Sequence, residues 1–162
     1  MKQQVTVAEN IRSKLGDSWI PSIYRGKIRA QRTRAFHLDI PAKENKPEIL
    51  YTLLGVELKV GNRRFACPDL ATARYLQVFA RIGCRDFAIL YDITKISPIA
   101  DELETSWHQM LLLLGQETDG QAASSAGRRR SALIKTLRQE IEEIGPGDAM
   151  PAFDRPTRQR NK

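Results

Sequence analysis

The most constraining feature of the sequence is a helical segment between two short strand-like runs. Pro68 and Gly83 bracket apolar residues at helical spacing, and proline suits the first turn of a helix as glycine suits its end. Residues 64–67 precede this segment and residues 84–91 follow it. A strand, a helix and a strand in this order favour a right-handed crossover between parallel strands. We therefore expect a small α/β domain with a mixed β-sheet, with α+β as the alternative.

A basic alternating pattern covers residues 24–40. Every second residue from Arg25 to Arg29 is basic and the other parity is mostly apolar, which indicates a strand with one basic face and one apolar face. Arg32 and Arg34 fall on the apolar parity. We expect a bulge or turn there, which gives a bent strand or a hairpin.

Two more patterns complete the predicted domain. A Gly-Asn pair at residues 61–62 separates two strand-like runs and is a signal for a two-residue hairpin. Ser97 and Pro98 suit the N-cap and first position of a second main helix, and Gly115 suits its end. One compact domain of ordinary size therefore accounts for residues 19–115.

Composition predicts the segments outside this domain. Residues 1–18 are expected to form a short helix or arm, and residues 116–127 a flexible linker that is rich in glycine, serine and alanine. Residues 128–145 follow as a tethered amphipathic helix. Residues 146–162 are rich in proline and basic side chains, and we expect them to form a disordered tail.

Charge and apolar content limit the classes of protein to consider. The net charge of +7 favours polyanionic partners through non-specific electrostatics. We find no signal peptide and no apolar run near the roughly 20 residues that span a bilayer, so a cytoplasmic protein without a membrane partner is expected. Cys67, Cys84 and the two histidines lack the spacing of zinc ligands, and neither a metal nor a cofactor is predicted. The oligomeric state is open.

The placement of arginine leads to the main functional hypothesis, because arginine suits bidentate recognition of phosphate. The candidate nucleic-acid contacts are Arg25, Lys27, Arg29, Arg32, Arg34, Arg63, Arg64, Arg74 and Arg81. Tyr24, Phe36 and His37 lie nearby and are available to stack on bases. The sequence therefore favours a non-catalytic binding or regulatory protein that contacts RNA or DNA, or a complex that processes nucleic acid.

The C-terminal helix supports an alternative of another class, a protein–protein adaptor. Its candidate partner-binding residues are a basic start and an apolar side: Arg128, Arg129, Arg130, Leu133, Leu137 and Ile141. A tethered amphipathic helix of this kind can dock in a groove of a partner protein. Glutamates on its polar face argue against binding to an anionic membrane.

The one enzyme-like pattern is Asp39 followed by Glu57 and Lys59. These residues resemble the PD-(D/E)xK nuclease motif, in which the two acidic residues bind Mg²⁺ and the lysine assists the attacking water. The resemblance covers residues 39–91 and implies a Mg²⁺-dependent nuclease. On the alternative interpretation, Glu57 and Lys59 share the solvated face of an amphipathic strand, and the protein is not an enzyme.

Overall fold

The computed structural model describes residues 6–147, so the predicted tail beyond residue 147 lies outside the described part of the chain. Helix α1 (Val7–Leu15) begins at a capping box, in which Thr6 and Glu9 exchange side-chain-to-backbone hydrogen bonds. A 3₁₀ turn, Gly16–Ser18, follows the helix. The inner face of α1 is anchored by Ile11, which is fully buried.

The first half of the predicted basic strand is helical. Helix α2 (Ile20–Ile23) runs directly into a π-helical turn, Tyr24–Ile28, so the prediction of a strand from residue 24 is wrong here. Both end residues of the turn are fully buried, and their four-residue spacing is that of a helix face. Side chains two residues apart share a face on a strand but not on a helix. The predicted basic face of Arg25, Lys27 and Arg29 is therefore not formed.

Residues 6–147 contain five strands, which are β1 (Thr33–His37), β2 (Glu48–Thr52), β3 (Gly55–Val60), β4 (Arg63–Cys67) and β5 (Asp86–Leu90). Strand β1 pairs with β5, while β2, β3 and β4 form a separate sheet. All of these pairings are antiparallel. The α+β alternative therefore describes the fold. The single mixed sheet with parallel β4 and β5 is wrong, because these two strands belong to different sheets.

The three-stranded sheet has two turns, of which the sequence predicted one. Gly61, at φ 61°, joins β3 to β4 at the predicted Gly-Asn pair. A second turn at Leu53 and Leu54 joins β2 to β3, where Thr52 Oγ1 accepts a hydrogen bond from the Leu54 amide at 3.2 Å. The sequence does not predict this turn, because Leu53 and Leu54 are apolar and continue the apolar pattern of the neighbouring strands.

Helix α3 (Leu70–Ile82) lies on one face of the three-stranded sheet. Asp69 is its N-cap and accepts a hydrogen bond from the Thr72 amide at 2.8 Å, so Pro68 lies just before the helix. Gly83 ends the helix at φ 90°, as predicted. A side chain at Gly83 would collide with the backbone of the loop before β2, so this position also requires glycine for space.

Helix α4 (Ile96–Glu117) is longer than predicted at both ends. A 3₁₀ turn, Ile93–Lys95, precedes it and is capped by Asp92, so helical structure begins before the predicted N-cap. The helix also passes through Gly115, because the next residues continue its hydrogen bonding.

Helix α5 (Ala123–Ile144) begins inside the segment predicted as a linker, so only residues 118–122 separate it from α4. Alanine and serine at its start have adequate helix propensity, which explains the difference. The inner side of α5 packs against α1, α2, α3 and β5.

An aromatic cluster forms the centre of the core. Phe79 of α3 stacks on Phe87 of β5, with ring centroids 4.3 Å apart and planes within 6°. The ring centroids of Tyr24 and Tyr75 lie 5.9 and 5.1 Å from that of Phe79. Tyr75 donates its hydroxyl hydrogen bond to the Ala88 carbonyl at 2.7 Å, and the Ala88 amide donates to the Tyr24 oxygen at 2.8 Å. These two tyrosines therefore satisfy the backbone groups of Ala88, on the edge of β5 that faces away from β1.

Candidate nucleic-acid interface

The predicted arginines of the three-stranded sheet have carboxylate partners within the protein. Arg63 binds Asp39, and Arg64 Nη1 lies 3.3 Å from Glu57 Oε1. Exposed pairs of this kind hold their side chains only weakly. They nevertheless reduce the net charge that the β4 arginines offer to a phosphate.

Helix α3 directs its two predicted arginines toward α4. Arg74 Nη2 lies 2.9 Å from Glu104 Oε1 and also binds Asp101, and hydrogen bonds to Glu104 and Asp101 raise the pKa of Arg74. Arg81 is half-buried, and this burial lowers its pKa. Arg74 is thus held by two carboxylates, and Arg81 is only partly accessible to solvent.

The basic residues of the π-helical turn have separate surroundings. Lys27 Nζ lies 2.6 Å from Glu102 Oε2 on α4. Arg25 lines a groove between the N-terminal helices and α5, together with Glu140 and Glu143. The structure therefore does not place Arg25 and Lys27 on a common basic strip with the arginines of β1.

Arg29 and Arg34 differ from the paired arginines, since neither has a carboxylate within 4.0 Å among residues 6–147. Arg34 is exposed on β1. Arg29 is half-buried, its Nη1 lies 3.4 Å from Thr33 Oγ1, and its Nε has no hydrogen-bond partner in the described residues. Within residues 6–147, no carboxylate therefore compensates the charges of Arg29 and Arg34.

Arg32 forms a stacked pair with an aromatic residue that the sequence did not identify. Its guanidinium carbon lies 4.1 Å from the centroid of the Tyr91 ring. The Tyr91 amide donates to the Arg32 carbonyl at 3.0 Å, so the two residues are direct neighbours across the β1–β5 sheet. No local signal connects residues 32 and 91, because their contact depends on the register of two strands that are distant in sequence.

The other edge of β1 has no paired strand in the described part of the chain, and we call it the open edge. Hydrogen bonds from Tyr91 to Arg32 (3.0 Å) and from Leu38 to Arg85 (2.7 Å) show that the even-numbered residues of β1 bond to β5. The amides and carbonyls of the odd-numbered residues therefore point away from β5. They belong to Thr33, Ala35 and His37. Within the described chain no strand pairs with this edge.

The three predicted stacking residues have different positions. Tyr24 is fully buried in the aromatic cluster. Phe36 is half-buried, with its ring centroid 5.7 Å from that of Phe87. His37 is exposed, and its Nδ1 lies 2.8 Å from Asp86 Oδ1 across the sheet. Only His37 is therefore fully accessible to a base.

The nuclease-like residues are not brought together. Glu57 and Lys59 share the outer face of the three-stranded sheet, opposite the buried face of Leu58. Glu57 pairs with Arg64, whereas Asp39 pairs with Arg63. Arg63 and Arg64 are adjacent on β4, so their side chains point to opposite faces of the sheet. In residues 6–147 no group of three histidine, cysteine or acidic side chains has the arrangement of a metal site.

The predicted adaptor residues of α5 are divided between the core and the surface. Leu133, Leu137 and Ile141 are buried in the core, so this side of the helix contacts the protein itself. Arg130 makes hydrogen bonds of 3.0 and 3.1 Å to Glu44, which raise the pKa of Arg130. Arg128 and Arg129 are exposed.

Comparisons with protein-family models, with curated proteins and with solved structures give no match for this chain. Among the described helices, none has the length and apolar content that would cross a lipid bilayer.

Proposed function

We propose that this protein is a non-catalytic binding protein that contacts nucleic acid through a basic surface at β1. This β1 surface consists of the side chains of Arg29, Arg32 and Arg34 and the open edge of the strand. The observation that carries the proposal is the absence of carboxylate partners at Arg29 and Arg34 within residues 6–147, in contrast to Arg63, Arg64 and Arg74, which are paired.

The chemistry of the β1 surface fits a phosphate backbone. Arginine offers two parallel N–H donors to phosphate oxygens, and its charge releases counterions from a nucleic acid. The outward amides of Ala35 and His37 supply further donors, since main-chain N–H groups make many phosphate contacts in protein–nucleic acid complexes. Both residues are exposed, so a backbone can approach them.

We place this function in the cytoplasm. The thiols of Cys67 and Cys84 are free, as a reducing compartment keeps them.

Two matched variants test the proposal. Arg34→Ala removes an arginine without a carboxylate partner, and Arg64→Ala removes one that pairs with Glu57, so both change the net charge equally. Binding of fluorescent RNA and DNA oligonucleotides is measured by anisotropy across a range of salt concentrations. We expect Arg34→Ala to weaken binding and to reduce the salt slope by about 0.7–0.9, the loss of one phosphate contact, and Arg64→Ala to change little.

Three results would contradict this proposal. The first is negligible binding of oligonucleotides to the wild-type protein at low salt. The second is an equal effect of Arg34→Ala and Arg64→Ala, which indicates non-specific attraction by net charge. The third is equally tight binding of poly-glutamate, which indicates an acidic protein partner on the open edge of β1.

A further inference from the structure

We infer that the β1 surface takes single-stranded nucleic acid and that Tyr91 is the side chain on which an unpaired base stacks. The inference rests on the proposed function and goes beyond it by stating that the nucleic acid is single-stranded. It starts from the pair of Arg32 and Tyr91, which places an aromatic ring beside the basic side chains of the β1 surface.

Tyr91 is placed for stacking in a way that other aromatic residues are not. Tyr24, Tyr75, Phe79 and Phe87 are fully buried in the core. Tyr91 directly follows β5 and is 40% exposed, although the Arg32 guanidinium covers part of its ring. Tyr91 therefore combines partial exposure with a ring that is already in contact with a cation.

The surroundings of Tyr91 combine apolar and basic character. Ile93 lies two residues further along the chain and is 70% exposed. Arg34 lies on the same side of β1 as Arg32, since residues two apart on a strand share a face. Tyr91 thus has an exposed apolar residue close to it in the sequence, and Arg32 and Arg34 lie on its own face of the sheet.

This combination distinguishes single strands from duplexes. In a duplex the faces of the bases are stacked on one another, so a protein surface reaches phosphates and base edges. A single strand exposes base faces, and proteins bind them by placing aromatic rings beside a positively charged path for the backbone. Guanidinium planes also stack on bases, so Arg32 and Tyr91 together form one platform.

The exposed tyrosine of the other sheet provides a matched control. Tyr51 is 72% exposed at the end of β2, beside the apolar turn of Leu53 and Leu54. Among described residues the arginine–aromatic contact involves Tyr91 and not Tyr51. If exposure of a tyrosine were sufficient for stacking, Tyr51 and Tyr91 would behave alike.

The experiment uses the full chain and three fluorescent probes with equal phosphate numbers per strand. They are oligothymidine, the same backbone with abasic sites in place of the bases, and a duplex. Affinities are measured by anisotropy for the wild type, Tyr91→Ala, Tyr91→Phe and Tyr51→Ala, with circular dichroism as a check of folding. We expect the wild type to bind oligothymidine roughly 5- to 150-fold more tightly than the abasic strand, the effect of one stacked base.

We expect Tyr91→Ala to remove this preference, and Tyr91→Phe and Tyr51→Ala to retain it. If the wild type binds none of the probes, the proposed function fails and this inference fails with it. If it binds all three probes alike, or the duplex most tightly, the proposed binding to phosphates is retained. The inference of a single-stranded ligand is then overturned. A preference that Tyr91→Ala retains would also overturn the inference. Should Tyr91→Ala fail to fold, Tyr91→Leu takes its place, because leucine fills space without offering a ring.

Discussion

The two sheets in the described part of the chain treat their charged residues differently. On the three-stranded sheet Arg63 and Arg64 are each matched by a carboxylate. On the two-stranded sheet Arg34 has no such partner within residues 6–147. All three arginines are exposed strand residues of similar sequence context. Whether an arginine is available to a ligand therefore depends on the side chains that tertiary structure places beside it.

The two sheets also differ in how they are packed. Strand β5 is buried on both faces, since its last four residues are at most 3% exposed. Strand β3 buries Leu58 and Val60 but leaves Glu57 and Lys59 on its outer side. The two-stranded sheet is therefore part of the core, and the three-stranded sheet covers one side of α3.

The largest expected difference between the two sheets is in the rate at which their cysteines are chemically modified. Cys84 lies just before β5 and is fully buried, whereas Cys67 ends β4 and is half-buried. Burial raises the pKa of both thiols, so each has less reactive thiolate than a free thiol at the same pH. We expect iodoacetamide to modify Cys67 on the order of 10³-fold faster than Cys84, whose reaction requires opening of the core.

Peptide mapping by mass spectrometry over time, with and without urea, measures this ratio. Denaturant should make the two cysteines react alike. Equal rates without denaturant would mean that the start of β5 is not in the core.

The second prediction compares the same substitution in the two sheets. Phe87→Ala should lower the free energy of unfolding by about 3–5 kcal/mol, because it removes a fully buried ring from the aromatic cluster. Phe65→Ala on β4 should cost less, because Phe65 is only partly buried. Urea unfolding monitored by circular dichroism gives both values. If both variants lost the same free energy of unfolding, the two-stranded sheet would be no more important to the core than the three-stranded sheet.

The sequence predicts those parts of the fold that local signals determine. Gly61 marks the hairpin, Gly83 ends α3, and the alternation around Leu58 identifies the buried face of β3. Each of these depends on the conformational preference of one residue or on a pattern within one element. The turn at Leu53 and Leu54 escapes prediction because its residues are apolar and not typical of turns.

The candidate site was less predictable because it depends on pairing between distant segments. The basic alternation after Tyr24 has the form of a strand, yet the buried spacing of Tyr24 and Ile28 makes it helical. The partners of Arg63 and Arg64 lie 24 and 7 residues away. The contact between Arg32 and Tyr91 follows only from the register of β1 and β5.

The smallest predicted effect on stability concerns the edge of β5 at Ala88, where the Tyr24 hydroxyl takes the place of a neighbouring strand. The Tyr24 hydroxyl accepts from the Ala88 amide at 2.8 Å and donates to the Gly145 carbonyl at 2.7 Å, so it connects β5 to the end of α5. Tyr24→Phe leaves both backbone groups without this partner, and we expect it to lower the free energy of unfolding by about 1–3 kcal/mol. Tyr51→Phe, an exposed tyrosine on the other sheet, should leave the stability unchanged.

The pH dependence separates the role of this hydroxyl from a general packing effect. Burial raises the pKa of Tyr24 from 10.0 to about 12 in the folded protein. The protonated hydroxyl therefore stabilises the fold fully below pH 10, and this contribution is lost as the pH rises toward 12. Between these values the stability of the wild type should fall more steeply than that of Tyr24→Phe in urea titrations. Parallel curves for the two proteins would show that ionisation of Tyr24 is not coupled to unfolding, and that the edge of β5 is held closed by packing alone.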